Sequence, residues 1–370
     1  MDNNPKGYTR ADYIAAYDRL GSKRAVAREL GVSKATVQGA LHGYAPSQGI
    51  AAALERVGVE PENARFGYRR VQGEDGSFDT VFWRMPPQEQ ESLAERIRAA
   101  LDGLKAAPRV APPRRADSDL MTLYPIADLH LGLMAWGRET GEDYDTATAA
   151  KRLREWVGRC VASSPNSHTG VILSVGDFYH ADDQTNQTPA SRHQLDVDTR
   201  HYKTLDAGIA ALDACVMMAL DKHKKVIVRI LAGNHDPHSS MALTFAMAER
   251  FRDNPRVEVV KEPSPFWSME WGKCMLAATH GEKAKPDRIV HFMADEFAEV
   301  WGRTRHRFLF TAHFHSLKAQ DIGGVQHEQL RAMTARDAYA YSSAYSARAQ
   351  LQAITYHKDD GEVQRVKVAA

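Results

Sequence analysis

Beyond residue 119, short apolar runs alternate along the chain with longer helix-like segments. The runs are 120–126, 171–175, 226–231, 275–278 and 308–310, and the segments between them, 146–161, 198–223 and 241–252, have helix-forming composition. This alternation predicts an α/β layer architecture. The tail, 351–356 and 363–368 about Asp359-Asp360-Gly361, predicts a closing hairpin. Upstream the pattern differs. Residues 8–43 read as helical, while 66–71 and 78–84 read as two strands joined through an Asp75-Gly76 turn. Residues 87–105 predict a helix with Leu93, Ile97, Leu101 and Leu104 on one stripe. That stripe would pack on the hairpin or on a second copy of the chain, so 87–105 is the expected route to a homo-oligomer. Residues 106–119 carry three prolines and no apolar periodicity, which predicts a semi-extended linker. The expected domains are therefore 1–60, 61–105, the linker 106–119, and 120–370.

Composition narrows the class. Of 370 residues, 43% are hydrophobic and 26% charged, ordinary for a globular protein and far from a disordered or collagen-like chain. No run of 18 apolar residues predicts a membrane span, and the first residues carry no secretory pattern. Cys160, Cys215 and Cys274 form no paired framework, so the expected compartment is a reducing cytoplasm. The net charge is +1, with eighteen basic against fifteen acidic side chains up to residue 118 and thirty against thirty-two after it. So small an excess does not by itself imply nucleic-acid binding. Histidine is the unusual count, at 16.

Each apolar run of the second part leads at once into metal-ligand residues. The clusters are Asp128-Leu129-His130, Gly176-Asp177-Phe178-Tyr179-His180, Gly233-Asn234-His235-Asp236, Thr279-His280-Gly281 and Ala312-His313-Phe314-His315. In α/β sheets ligands bind beyond the carboxyl ends of the strands. One such histidine would read as hydrogen-bonded structure; five clusters in succession point to a site. Carboxylates, imidazoles and one amide without thiolate suit Mn²⁺, Fe or Zn²⁺ rather than a closed structural zinc. Asp128, His130, Asp177, Asn234, His280, His313 and His315 are too many for one ion and about right for two sharing a bridging carboxylate. Two such ions suit hydrolysis of a phosphoester.

The order Asp-x-His, Gly-Asp, Gly-Asn-His-Asp, His, His-x-His resembles the calcineurin-like metallophosphoesterases over about two thirds of the chain. The resemblance implies a four-layer α/β/β/α sandwich preceded here by the smaller N-terminal parts. It also implies two divalent ions, most simply Mn²⁺, one held by Asp128, His130, Asp177 and His315. Asp177 would bridge to the other, held with Asn234, His280 and His313. It puts His235 at the scissile phosphate, with Asp236 holding the His235 ring. Ala312 stands where the family usually has glycine. The stretch GDFYH is similar to SbcD-type DNA nucleases, which puts His180 forward as a catalytic residue; the accessory segments of those enzymes are not expected within the 55 residues that follow His315 here.

Residues 22–30, Gly31-Val32 and 33–42 look like a helix-turn-helix, with Val26, Leu30, Val32, Val37 and Ala40 on its buried side and Ala27 where the helices touch. Both helices would be capped by serine, and Ser33, Lys34 and Gln38 of the second would face the DNA major groove. Three functions follow. The preferred one is a DNA nuclease. A second is a phosphoesterase for a small nucleotide or cyclic nucleotide, with 181–202 shaping its pocket. The third is a DNA-binding regulator whose phosphoesterase fold is not catalytic.

Overall fold

Apolar runs bounded by polar turn residues become the central strands, and they are continuous because both faces of each strand are covered. In the computed structural model, which describes residues 8–41, 66–72, 78–84 and 105–369, the chain divides into two compact units, Met1–Glu95 and Arg96–Ala370.

In the first unit, α1 (Arg10–Leu20), α2 (Lys23–Leu30) and α3 (Lys34–Leu41) bury Tyr13, Ala16, Val26, Leu30, Val37 and Ala40 together. Val32 and Ala27 are half-buried against this cluster. Gly31 ends α2 in the left-handed conformation (φ 66°) that glycine adopts without a Cβ clash. Ser22 stands at the N-cap of α2 but makes no side-chain cap bond, contrary to expectation. Ser33 does cap α3, its Oγ accepting from the Thr36 amide at 3.0 Å. Strands β1 (Phe66–Gln72) and β2 (Phe78–Arg84) pair antiparallel, Phe66 opposite Arg84 and Gln72 opposite Phe78. Of the expected helix 87–105, all but Lys105 lies outside the described residues.

The second unit holds two sheets. The six-stranded one contains β3 (Asp117–Ile126), β4 (Ser167–Val175), β5 (Lys225–Leu231) and β6 (Val257–Val260) in parallel, with β12 (Gln350–His357) and β13 (Gly361–Ala369) antiparallel at one edge. The five-stranded one has β8 (Cys274–Ala278), β9 (His306–Thr311) and β11 (Val325–Gln329) in parallel, flanked by β7 (Trp267–Trp271) and β10 (Lys318–Ile322). Period-two alternation sends neighbouring residues to different cores. Met121, Leu123, Val171, Leu173 and Val175 pack toward Leu276, Phe308 and Phe310 of the other sheet. Tyr124, Ile126, Ile172, Val226 and Val228 instead face α4 (Thr146–Ser163), α5 (His201–Lys222) and α6 (Pro237–Arg250). On the far face of the five-stranded sheet, Met275, Ala277, Leu309 and Val325 meet α7 (Pro286–Glu296) through Ile289, Val290 and Met293.

The expected linker is only partly one. β3 begins at Asp117, and the preceding segment is fastened to this unit: Ala107 is buried, its amide bonds to Arg250 O at 2.7 Å, and Arg256 Nη1 donates to Val110 O at 2.7 Å. All three cysteines are buried and unpaired. Among the described residues, no helix is long and apolar enough to cross a membrane.

Candidate metal centre

The five strands that end in ligand-type residues belong to both sheets: β3, β4 and β5 to one, β8 and β9 to the other. Their carboxyl ends converge. His280 Nε2 stands 3.2 Å from Asp177 Oδ2 and 3.1 Å from Asn234 Oδ1. His130 Nε2 stands 3.1 Å from His315 Nε2 and 3.8 Å from Asp177 Oδ2, and His315 Nε2 is 3.7 Å from Asp128 Oδ1. Two groups with ligand geometry result, Asp128–His130–His315 and Asp177–His280–His313. The seven side chains singled out from the sequence are thus brought together. A third group joins His180 and His235 to His130.

The backbone bends sharply to achieve this. Eight described non-glycine residues have positive φ, and five of them are Asp128, His130, Asp177, His313 and His315, at 44° to 70°. Such conformations cost of order 1–3 kcal/mol each and persist where the surroundings over-determine them. Two glycines make room. A Cβ on Gly233 would come within 2.0 Å of Asp177 Oδ1, and one on Gly176 (φ 94°) within 2.4 Å of His280 Nδ1. Ala312 needs no such freedom: its φ is not positive, and its methyl is buried between the sheets. The turn tolerates alanine for that reason.

Hydrogen bonds set the ligand faces. His280 Nδ1 lies 2.8 Å from Val175 O, which turns Nε2 toward Asp177 and Asn234. The His313 amide donates to both Asp128 oxygens at 3.2 and 3.1 Å, and the His235 amide donates to Asp177 Oδ1 at 2.9 Å. The His235 ring is held by His180, whose carbonyl lies 2.8 Å from Nδ1 and whose ring stacks on it with centroids 5.3 Å apart. Asp236 does not hold that ring, contrary to expectation. It is fully buried, and its two oxygens accept from Gly233 N at 2.9 Å and Tyr179 N at 3.0 Å. It therefore tethers the Gly233 loop to the loop after β4. His180 is itself buried, with Nδ1 3.1 Å from His130 Nδ1.

The electrostatics are extreme. Burial pushes Asp128 up to about 8, with Asp177 adding to the rise. Burial acts on Asp177 in the same sense, but His280, His130 and His235 outweigh it and hold that carboxyl well below the usual range. Burial lowers His280 in turn, yet Asp177 and Asp128 overcome this and raise it to about 10. Burial drives His130 far down and takes His180 to about 3 and His315 to about 4. Among the described residues no lysine or arginine pairs with Asp128 or Asp177, which have only histidines beside them. Buried carboxylates are paired or hold metals. Imidazoles around two buried carboxylates that no lysine or arginine balances, with an amide oxygen, form a donor set that fits divalent ions.

Sequence reasoning passed over one neighbouring pair. Asp182 is buried after His180; its Oδ1 accepts from the His238 and Ser239 amides at 2.9 and 2.8 Å, starting α6, and its Oδ2 meets His238 Nδ1 at 2.5 Å. An acid two residues past His180 and a histidine three past His235 were the available signal. The stretch 181–202 contributes to a hollow of about 10 Å³ with Leu131, Gly132 and Thr204, room for one water rather than a nucleotide.

No family model and no curated protein matches the chain. Several solved structures are similar to this chain at low identity. A conserved uncharacterised protein of Streptococcus pneumoniae, described as a predicted phosphoesterase, is 10% identical over 69% of this chain and 100% of its own, with a TM-score of 0.29. An archaeal phosphodiesterase is 12% identical over 68% and 100%, with a TM-score of 0.35. Vps29 of Entamoeba histolytica, solved with Zn²⁺, is 14% identical over 67% and 99%, with a TM-score of 0.27. Likeness at this level carries no functional argument; the side chains must supply it.

Proposed function

We propose that the protein is a metal-dependent phosphodiesterase, with its catalytic unit in a four-layer α/β/β/α arrangement and DNA as its substrate. One observation carries the reading: Asp128 and Asp177, both buried, face four imidazoles and Asn234 with no lysine or arginine to balance them. Asp128, His130 and His315 would hold one divalent ion and Asn234, His280 and His313 a second, with Asp177 between them. Mn²⁺ is the ion proposed, and Fe or Zn²⁺ also fits this donor set. Ions so held supply electrophilic charge to phosphoryl oxygens and activate water for in-line attack.

The chain's own residues do the rest. Asp177 is anchored by the His235 amide, so its orientation is set before substrate arrives. The His235 ring, fixed by donating through Nδ1 to the His180 carbonyl, would in its imidazolium form present Nε2–H as a donor to a non-bridging or leaving oxygen of the phosphate. His180 positions both His235 and His130.

Residues 8–41 supply the hold on DNA in this reading, as a helix-turn-helix with α3 as recognition helix. The buried Val26, Leu30, Val37 and Ala40, the left-handed Gly31 and the exposed Lys34 and Gln38 support it. Purified protein with Mn²⁺ would be offered bis-p-nitrophenyl phosphate, p-nitrophenyl phosphate and labelled DNA. Cleavage of the diester and of DNA but not of the monoester is expected. Turnover of the monoester alone would overturn the reading.

A further inference from the structure

Exposed aromatic rings are distributed unevenly over the described residues of the unit Arg96–Ala370. Seven side chains of Trp, Tyr or Phe are exposed there, and five of them, Trp136, Phe314, Tyr339, Tyr341 and Tyr345, lie on the segments that follow β3, β9 and β11. Tyr202 and Phe245 lie within the helices α5 and α6. Exposure of the five ranges from 50% for Tyr341 to 71% for Tyr339. Rings kept in water on segments that follow strand ends mark a binding surface.

The segments that carry these five rings are fastened to the metal centre. Phe314 stands between His313 and His315, its ring edge-on to His313 with centroids 4.9 Å apart. Trp136 follows Ala135, which pairs with Tyr144, and the Tyr144 hydroxyl donates to Leu129 O at 2.7 Å, between Asp128 and His130. The tyrosine segment leaves Thr334, whose amide donates to Asp128 O at 3.1 Å. Arg336 then ties the two segments together, donating to Thr140 O at 3.2 Å and to Tyr345 O at 3.4 Å. The Tyr339 and Tyr345 rings lie edge-on at 6.4 Å. Guanidinium groups accompany the rings: Arg138 stands over Trp136 at 5.1 Å and Arg336 over Tyr341 at 5.2 Å.

Exposed rings beside guanidinium groups, at the mouth of a phosphoester site, match one ligand chemistry: unpaired nucleobases on a phosphodiester backbone. Each base stacked on an aromatic ring contributes about 1–3 kcal/mol without regard to sequence, and arginine adds cation–π and phosphate contacts. Base pairs within a duplex already stack on one another and offer no free face. We propose that this aromatic rim binds single-stranded nucleic acid and delivers it to the metal centre. The inference rests on the phosphodiesterase reading and names its substrate class.

The test uses the full chain in EDTA and fluorescence anisotropy with three labelled probes. They are a 20-nucleotide oligo-dT, an oligomer of equal length and charge built of abasic units, and a 20-base-pair duplex. Oligo-dT should bind at least 10-fold tighter than the abasic strand. The double variant Trp136→Ala/Tyr345→Ala should erase that margin, while Trp136→Phe/Tyr345→Phe should keep most of it and the duplex affinity should not follow either change. Equal affinity for oligo-dT and the abasic strand, or a margin that survives the alanine variant with an unchanged melting temperature, would overturn the rim. Bis-p-nitrophenyl phosphate hydrolysis by the unaltered chain is read separately. Its absence counts against the phosphodiesterase and says nothing of stacking.

Discussion

Ser33, Lys34 and Gln38 stand in solvent on a small helical unit, whereas Asp128, Asp177 and Asp236 are buried where two sheets end. Both sets are polar residues singled out from sequence, yet they carry different weight. On the helices each polar group has an inexpensive alternative: Ser33 caps α3, and Gln38 accepts from Lys23 Nζ at 3.1 Å. Such contacts cost little and would exist on a module with no ligand at all. At the sheet ends no inexpensive alternative exists, because an ionised carboxylate out of water is costly unless it is paired or metal-bound. Asp236 shows the contrast within the site. Two backbone amides satisfy it, and its role is read as a tether rather than as chemistry. Buried polar groups whose partners are only other ligand-type residues are the stronger evidence.

The largest effect should come from Asp177. Asp177→Asn removes the charge that both imidazole groups face, and we expect undetectable diester hydrolysis and loss of at least one bound ion by metal analysis. Two ions retained with normal turnover would break the contrast at its strongest point. His235→Asn should come next, lowering turnover about 10²–10⁴-fold with metal content unchanged. The deficit should shrink on esters with good leaving groups such as p-nitrophenol. Since His235 also belongs to a group with ligand geometry, loss of metal in this variant would reassign it as a ligand.

A third prediction concerns a buried polar network with no chemistry to do. His223 is fully buried between the Tyr124 hydroxyl, 2.8 Å from Nε2, and Ser167 Oγ, 2.9 Å from Nδ1, and burial lowers it to about 4. The fold favours the neutral ring, so this contribution is complete above the unfolded value of about 6.5 and is lost as pH falls through about 4. It amounts to roughly 3 kcal/mol at most. His223→Asn should therefore be less stable than the parent at pH 7, with the gap in denaturant midpoint closing toward pH 4. A pH-independent gap would assign the loss to packing alone.

The smallest effects should lie on the helices. Lys34→Ala should weaken duplex binding by about 1–3 kcal/mol and reduce the slope of log affinity against log salt by about one. A chain beginning at Arg96, which keeps the segment packed on Arg250 and Arg256, should retain diester hydrolysis and lose duplex affinity. Undiminished duplex affinity in that chain would strip the helices of the DNA role.

The sequence by itself determined the five strands that end in ligand clusters, because period, length and turn residues are local properties. Phe66–Gln72, Phe78–Arg84 and the closing pair β12 and β13 were legible for the same reason. The strands it left out, VEVV, WSMEW, KAQDI and VQHEQ, are mixed in polarity and owe their state to neighbours across the sheet. Nearness across the fold was a tertiary matter. Only the meeting of the two sheets brought Asp177 within 3.2 Å of His280, and only the packing of the loops after β4 and β5 gave Asp236 the Tyr179 amide and the His235 ring the carbonyl of His180. Which atom a hydrogen bond reaches depends on distances of tenths of an ångström between segments about fifty residues or more apart. Composition and spacing along a chain do not encode such distances until the layers pack.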